Sequence, residues 1–383
     1  MDRGNAAGAI RFLAGTSSSL STRVHAEIAS LRGEALQSLG EFILARSAYK
    51  QSRRLFARIQ DRSGELEAVL HLGDVERQLE NFHSARAAYR SAFRIAQRHR
   101  GSSDNRCRAA AVDARMGEAM TLRGLGRYRE AIGHLVKCEQ DYRRHHDDEG
   151  RAYALWAIGS TFRFAGDLSR AEEALRRSLP IYLRLNDKSG FAYAMCGLGG
   201  TLRMRGMARQ SGVLYRRAND IFRRYKDRFG LAYSHCGQGN AFRMQRQYVQ
   251  ALPHMKKAEQ LYRSLQQKGP LGFVLWSRAQ MDLAMRSFPD ARRKIAEARR
   301  LFRSVKDARG LVYCDIADAA RLRIKKQLSA IPISRRVERN ARRHSLPFEA
   351  AHARSIRIGR PDIQAYRRCG VRFPAFLRYT TIP

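Results

Sequence analysis

Four arginines occupy matching positions of a repeated pattern and could together bind an anion. Arg163, Arg203 and Arg243 are spaced by 40 residues, and Arg323 lies two such intervals beyond Arg243. A guanidinium group pairs with carboxylate or phosphate oxygens through two parallel hydrogen bonds. If one face of the protein presents these side chains, that face binds an extended anionic segment. Arg77 holds the same position in an earlier repeat.

Aromatic side chains accompany the arginines at fixed offsets, which leaves two interpretations open. Tyr153 and Trp156 lie ten and seven residues before Arg163. These rings either form an apolar wall beside the arginines or pack between neighbouring helices, with the arginine stems covering the adjacent turns. The corresponding positions of later repeats hold Tyr193, Tyr233, Trp276 and the polar Asn240.

The elements that must position these residues are pairs of helices. Between residues 151 and 187, two runs with apolar residues at helical spacing flank a Gly166-Asp167 break, which is a turn signal. Gly159 and Ala171 let the two helices approach closely, and an Asp or Asn before each next helix suits an N-cap. The repeats begin at Gly150, Gly190, Gly230, Pro270 and Gly310, and the pattern extends backwards through Gly64 and then Gly33, which matches Gly159.

Self-similarity at this period is typical of a repeat array without one closed core. The repeat resembles the tetratricopeptide repeat (TPR), because Gly159, Phe162, Ala171, Leu175 and Ser178 fall at that family's signature offsets. The 40-residue length is similar to Pins-type spindle-orientation adaptors and, more loosely, to kinesin light chains. The resemblance implies an all-α fold, a right-handed α-solenoid of about seven helix-turn-helix units with a capping helix, whose first helices line a concave groove.

The repeat pattern divides the chain into three segments. Residues 1–23 form an N-terminal extension, residues 24–327 form the solenoid, and residues 328–383 form a basic segment interrupted by prolines. The units begin near residues 24, 64, 107, 150, 190, 230 and 270, and a last helix begins at 310. Short helices are expected at 335–343 or 347–357, and the segment either docks on the array, for instance in its groove, or orders on a partner.

Some positions depart from the pattern. The third unit places two extra residues between Gly117 and Gly126, and only with that insertion does Arg123 join the arginine series. Pro180 lies within a second helix and is expected to kink or shorten it. Ala157, Gly197 and Gly237 replace the Asn of Pins-type repeats, so their peptide-binding mode does not transfer directly.

The charge indicates an anionic partner. The chain has 73 Lys and Arg against 35 Asp and Glu, for a formal net charge of +38. Such a field attracts nucleic acid, acidic protein segments or anionic membrane surfaces, although a GC-rich genome also raises arginine content. Glu27, Glu67 and Asp74 make the N-terminal end of the inferred groove acidic.

The sequence carries no catalytic signature. It has no P-loop, HExxH or GxSxG motif, and His145-His146-Asp147-Asp148 lies at a repeat turn, which predicts a polar turn and no metal site. The six cysteines include no CxxC and suit a reducing compartment. No apolar run is long enough to span a bilayer, and we expect a cytoplasmic location.

We therefore predict a non-catalytic protein-protein interaction scaffold, or adaptor, without cofactor or metal. Its concave groove binds an extended, acidic peptide or protein segment through the arginine series and the aromatic wall. The alternative is an RNA- or DNA-binding helical-repeat protein that uses its basic surface and C-terminal arm. Steep salt dependence distinguishes nucleic-acid binding from peptide binding.

Overall fold

Helices account for all the regular structure in the described part of the chain. The computed structural model describes residues 21–98 and 105–373, and these contain helices and no strands. The chain divides into an N-terminal lobe, Met1–Asp141, and a C-terminal lobe, Tyr142–Pro383. The helices up to that division are α1 (Thr22–Leu39), α2 (Phe42–Arg58), α3 (Arg62–Gln78), α4 (Phe82–Arg98), α5 (Asn105–Gly124) and α6 (Tyr128–Arg144).

The C-terminal lobe continues with first and second helices in alternation. These are α7 (Asp148–Phe164), α8 (Leu168–Arg184), α9 (Lys188–Met204), α10 (Ala208–Arg224), α11 (Arg228–Met244), α12 (Tyr248–Ser264), α13 (Lys268–Ala284), α14 (Phe288–Ser304) and α15 (Ala308–Ile324). Three more helices follow: α16 (Ala330–Arg343), α17 (Pro347–Ile358) and α18 (Ile363–Arg368). The predicted all-α repeat architecture is confirmed.

Several second helices carry a central residue that packs against glycines of first helices. Tyr89 lies between Gly73 and Gly117, where an added Cβ would stand 2.7 and 2.1 Å from its Cε1 atom. Leu175 packs in the same way between Gly159 and Gly197. The predicted close approach of the paired helices is confirmed, since a Cβ at Gly159 would also lie 2.9 Å from the Ala171 carbonyl oxygen. The central residues are all at most 2% exposed: Tyr49, Tyr89, Leu135, Leu175, Tyr215, Met255 and Ile295.

The register of the third repeat differs from the prediction. Helices α5 and α6 meet at Gly124 and Tyr128, each 40 residues before its counterpart in α7 and α8, Phe164 and Leu168. No insertion is therefore present within this helix pair, and the expectation of two extra residues between Gly117 and Gly126 was wrong. Gly117 corresponds to Gly197 and Gly237, which also face a second helix. Arg123 joins the arginine series without adjustment.

The helix starts follow the predicted capping pattern. Asp147, Asp187, Asp227 and Asp307 each accept a hydrogen bond of 2.8 Å from the backbone N–H of the glycine three residues later. Each of these glycines also packs under an aromatic ring of the preceding second helix: Tyr142, Tyr182, Phe222 and Phe302. The N-cap and the ring together fix where these four repeats begin, whereas Gln267, before α13, makes no side-chain cap bond.

Pro180 does not shorten its helix, so of the two predicted effects, a kink or a shortening, the second is wrong. Helix α8 spans 17 residues, as α10 and α12 do, with Pro180 inside it. Proline removes one backbone hydrogen bond, but Ser178, Ile181 and Tyr182 on either side of it are buried. Packing of these neighbours offsets the lost bond.

Helix pairing continues past residue 327. Helix α16 packs on α15, so the helix beginning near 310 is not a lone cap. Both short helices expected in the basic segment are present, although α16 begins five residues earlier than predicted, at Ala330. Of the predicted terminal segments, residues 1–20 and 374–383 lie outside the described residues.

Helix α17 is buried on all sides. Eight of its twelve residues are buried, including Phe348 and His352 at 0% exposure. The Phe348 and Tyr366 ring centroids are 5.6 Å apart, and the Tyr366 hydroxyl contacts His352 Nδ1. A helix buried all round belongs to a core, so residues 347–368 are an integral part of the lobe in this state.

Replacing Gly237 with Ala should destabilise the C-terminal lobe, whereas the same change at Gly212 should not. A Cβ at Gly237 would lie 2.2 Å from Cε1 of the buried Tyr215, and overpacking of this kind costs roughly 1–3 kcal/mol. At Gly212 the nearest atom is 3.5 Å away, so the helix-propensity gain of Ala, roughly 0.5–1 kcal/mol, should dominate. Denaturation midpoints of the two variants should shift in opposite directions; shifts of equal sign would contradict this packing.

The stability of the lobe should fall in mild acid because of His352. Burial, with Arg243 acting in the same direction, lowers the pKa of His352 to about 3, whereas an unfolded His titrates near pH ~6.5. Above the pKa of the unfolded state, His352 is neutral in both states and the full stability of the lobe is present. As the pH falls from there towards the folded pKa, only the unfolded chain takes up the proton, and stability is lost. At pH ~5 the loss is about 2 kcal/mol.

The matched variant for this prediction is His352→Gln, which removes the titration and keeps a polar side chain. Chemical denaturation of both proteins at neutral pH and in mild acid isolates the histidine, since the carboxylates are common to both. Stability curves that run parallel for the two proteins would show that His352 does not titrate as expected.

Candidate functional site

Three members of the arginine series lie close to one another in the C-terminal lobe. Arg163 reaches the next repeat, where its Nη1 atom is 2.5 Å from the position a Cβ would take on Gly200. Arg203 acts electrostatically on Arg243 and on Tyr313 of α15. First helices of successive repeats thus bring the three guanidinium groups near one another, and these three side chains define the inner face of the lobe.

Arg243 is the most buried of the three. It is 4% exposed, its Nε donates to Asn240 Oδ1 over 3.0 Å, and its guanidinium carbon is 5.6 Å from the Trp276 ring centroid. Desolvation, followed by the charge of Arg203, lowers the pKa of Arg243 to about 9. A cation held at this depth is stabilised strongly by any anion that reaches it.

The inner face also holds polar atoms without hydrogen-bond partners. Within the described residues, the buried Nε atoms of Arg163 and Arg203 have none. The same is true of both side-chain amide atoms of Gln280, which is 1% exposed. Native interiors satisfy most such groups, so this cluster marks a face that can make additional hydrogen bonds, mainly as a donor.

Arg323, the fourth member, faces the end of α17. Its Nη2 atom is 2.3 Å from the position a Cβ would take on Gly359, the left-handed residue that ends α17 with φ +77°. A cation at a helix C-terminus interacts favourably with the exposed carbonyl groups. The structure therefore places Arg323 with the C-terminal segment and separates it in role from the other three.

Most of the predicted aromatic wall packs between helices. The Tyr193 hydroxyl donates to Asp227 over 2.7 Å, and its ring lies 4.8 Å from Phe222. Trp276 is 3% exposed and donates from Nε1 to the Tyr313 carbonyl over 2.9 Å. These contacts match the packing interpretation, as does the edge contact of Tyr233 with Tyr215 at 6.3 Å.

The first aromatic pair differs from the others. Tyr153 is 38% exposed, and its ring lies 5.4 Å from that of the half-buried Trp156. Only here does the predicted wall expose a large apolar ring surface.

Arg77 belongs to a polar cluster in the N-terminal lobe. Its Nη2 atom is 3.5 Å from Asp74 Oδ1, and the same oxygen accepts a hydrogen bond of 2.6 Å from the Tyr89 hydroxyl. Glu27 and Glu67 are exposed, as the acidic end of the predicted groove requires. The opposite charges of Asp74 and Arg77 largely cancel in this cluster.

The C-terminal segment covers part of the inner face through an ion pair that sequence reasoning missed. Arg309 Nε donates to Glu349 of α17 over 2.9 Å, and its Nη2 donates to the Tyr313 hydroxyl over 2.9 Å. The Arg309 guanidinium also lies 4.8 Å from the Phe164 ring centroid, which joins the first turn of α15 to the end of α7. Glu149, Ser189, Phe229 and Gly269 occupy this position in other repeats, so periodicity gave no signal for it.

Backbone hydrogen bonds fasten the end of the segment to two repeat turns. The Cys369 carbonyl accepts from Leu168 N–H over 3.0 Å. The Arg205 carbonyl accepts from the N–H groups of Arg372 and Phe373 over 3.2 and 3.1 Å. Of the alternatives for the basic segment, these contacts match docking on the array.

Two further features bear on function. Residues 21–98 and 105–373 contain no cluster of three or more His, Cys, Asp or Glu side chains able to hold a metal ion. Asp147 of the His145–Asp148 turn serves as an N-cap. No helix in these ranges combines the length and apolar character needed to cross a bilayer.

Comparison with known families agrees with the observed repeats. Two family models described as Tetratricopeptide repeat match residues 66–99 and residues 111–184. No curated protein matches the chain. Neither family match bears on the resemblance to Pins-type adaptors or kinesin light chains, which stays a prediction.

Solved structures with a similar fold cover most of the chain. A Rap protein complexed with Competence and Sporulation Factor is 16% identical, with a TM-score of 0.64 over 78% of this chain and 80% of that chain. Aspartyl phosphate phosphatase F from Bacillus subtilis is 12% identical, with a TM-score of 0.62 over 73% of this chain and 70% of that one.

A third similar structure is the Rap conjugation gene regulator of the plasmid pLS20 in complex with the Phr* peptide. It is 13% identical, with a TM-score of 0.60 over 76% of this chain and 79% of that chain. At such identities the likeness shows the fold alone. The two family matches identify tetratricopeptide repeats at residues 66–99 and 111–184, and the helix pairs elsewhere in the chain share their packing positions.

Proposed function

We propose that this protein is a non-catalytic, peptide-binding regulatory scaffold whose C-terminal lobe binds an acidic segment on its inner face. The observation that carries the proposal is the unpartnered, buried Nε atoms of Arg163 and Arg203, beside the buried cation Arg243. A carboxylate-bearing segment would supply the missing acceptors and neutralise a cluster of like charges. The exposed Tyr153 and half-buried Trp156 would add apolar contact at the edge.

Similar folds have been crystallised with regulatory partners. One Rap protein holds Competence and Sporulation Factor, and the pLS20 conjugation regulator holds the Phr* peptide. A peptide ligand for this chain is consistent with those complexes. The acidic character of the ligand is our own inference from the arginine cluster and the net charge of +38.

The buried thiols fit a scaffold better than a cysteine-based enzyme. Cys196 and Cys236 lie on first helices beside the arginines, yet desolvation raises both pKa values, that of Cys236 to about 11. A thiol becomes a nucleophile as the thiolate, so these groups are protonated and inert at neutral pH. Reduced thiols of this kind also support a cytoplasmic location.

Reversing the charge of Arg203 should abolish binding of an acidic peptide. A fluorescent peptide that alternates glutamate and phenylalanine serves as the probe, with its lysine counterpart as the specificity control. Arg203→Glu should weaken binding at least tenfold, because a carboxylate would then face the ligand. The matched control is Arg216→Glu, an exposed position on α10.

Circular dichroism of each variant separates lost binding from lost helicity. Equal affinity of the Arg203 and Arg216 variants would show that the inner face does not bind the peptide.

A second candidate function is sequence-independent binding of nucleic acid by the outer face of the C-terminal lobe. Exposed cations repeat at the same place on two second helices: Arg216 and Arg217 on α10, and Lys256 and Lys257 on α12. Rows of this kind bind phosphates, and binding releases counterions.

Charge reversal at these rows should act on RNA in a salt-dependent way. The double variant Arg216→Glu/Arg217→Glu should weaken binding of single-stranded RNA and lower the slope of log K against log salt by about 2, one for each lost phosphate contact. Filter binding over a salt series measures both quantities. An unchanged slope would exclude these arginines from an RNA interface.

A further inference from the structure

Residues 347–373 contact the inner side and the turns of the C-terminal lobe with defined chemistry. Pro347 and Phe348 lie against the turn after α7, where a Cβ on Gly166 would stand 2.7 Å from Pro347 Cγ. Glu349, 1% exposed, receives the hydrogen bond of Arg309. The segment therefore presents an aromatic side chain followed directly by a carboxylate, at the start of a helix.

The segment also approaches the arginine cluster. His352 lies one turn after Glu349 and is within electrostatic reach of Arg243. Arg323 covers the other end of α17 at Gly359. Two of the arginines that sequence periodicity assigned to ligand binding thus have the C-terminal segment as a neighbour.

Buried polar atoms without hydrogen-bond partners are present both on the segment and on the array. Glu349 Oε2 and His352 Nε2 on α17 are buried without hydrogen-bond partners, as are the Nε atoms of Arg163 and Arg203 on the array. Each such group costs free energy relative to its exposure to water. The unpartnered atoms of Glu349 and His352 weaken docking of the segment, because they regain water when it is released. A ligand that pairs with the Nε atoms of Arg163 and Arg203 would gain hydrogen bonds that the segment does not make.

We infer that residues 347–373 are an internal ligand of the peptide-binding face, and that the external partner is a protein segment presenting an aromatic residue next to a carboxylate. This inference rests on the proposed function. The partner binds where the segment docks, with its carboxylate on Arg309. The apparent association constant for the partner is then the intrinsic constant multiplied by the fraction of molecules in which the segment is released.

The inference is tested with the full-length protein and a labelled synthetic peptide of its own residues 346–373. Glu349→Arg places two cations together and should release the segment, so that the peptide binds at least tenfold more tightly than it binds the unmodified protein. The matched control, Glu173→Arg, changes an exposed carboxylate on α8 and should leave affinity unchanged.

A charge exchange then identifies the contact. The double variant Arg309→Glu/Glu349→Arg restores an internal ion pair of reversed polarity, and it should again bind the peptide weakly. Phe348→Ala provides a second way of loosening the segment, should Glu349→Arg unfold the lobe, and it should likewise strengthen peptide binding.

Hydrogen exchange reports docking independently of peptide binding. The Leu168 amide is protected through its bond to the Cys369 carbonyl, so its exchange should accelerate in Glu349→Arg while amides within α9 keep their protection. Equal peptide affinity in the unmodified protein and in Glu349→Arg would overturn the internal-ligand inference alone. Accelerated exchange at Leu168 without binding of this peptide, or of the glutamate-phenylalanine peptide, would overturn the proposed function.

Discussion

The contact between a second-helix side chain and the glycines of two first helices determines the rest of the structure. Tyr215 packs between Gly199 and Gly237, and an added Cβ at either glycine would lie 3.0 Å or less from its ring. Because the ring is 2% exposed, it cannot move aside. This contact fixes the rotation of each helix and so brings Arg163, Arg203 and Arg243, which share one position in the repeat, to one face.

Carrying the arginines inward has an electrostatic consequence. Arg309 and Phe164 join α15 to α7 within the C-terminal lobe, and Arg203 acts on Tyr313 from three first helices away. Burial, followed by repulsion from Arg203, lowers the pKa of Arg243. Contacts within the lobe offset part of this unfavourable electrostatic energy. Arg243 donates to Asn240 and lies near the Trp276 ring, and Arg309 pairs with the carboxylate of Glu349.

The sequence predicted what repeats and missed what does not. Helix pairs, small packing residues and Asp N-caps recur at a fixed interval, so each copy supports the others. Gly117 misled the register because it matches a second glycine position of the repeat, that of Gly197 and Gly237, and Ala119 took the expected place. Arg309 and Glu349 occur once, 40 residues apart by coincidence with the period, and only tertiary structure pairs them. The burial of α17 was likewise beyond any local pattern.

The arginine series does not act as one site. Arg323 lies at the end of α17, and Arg243 is buried against Asn240 and Trp276. Arg163 and Arg203 keep unpartnered nitrogen atoms and are only half buried. Besides the carboxylate proposed to pair with Arg309, a further carboxylate of the ligand would gain most from Arg163 and Arg203, because pairing them would end an existing desolvation cost. Recognition would then begin at α7 and α9. The C-terminal segment forms backbone hydrogen bonds with the turns that follow these two helices, at Leu168 and Arg205. Under the proposed function, ligand and segment would meet at the same pair of repeats, and binding of one would be coupled to release of the other.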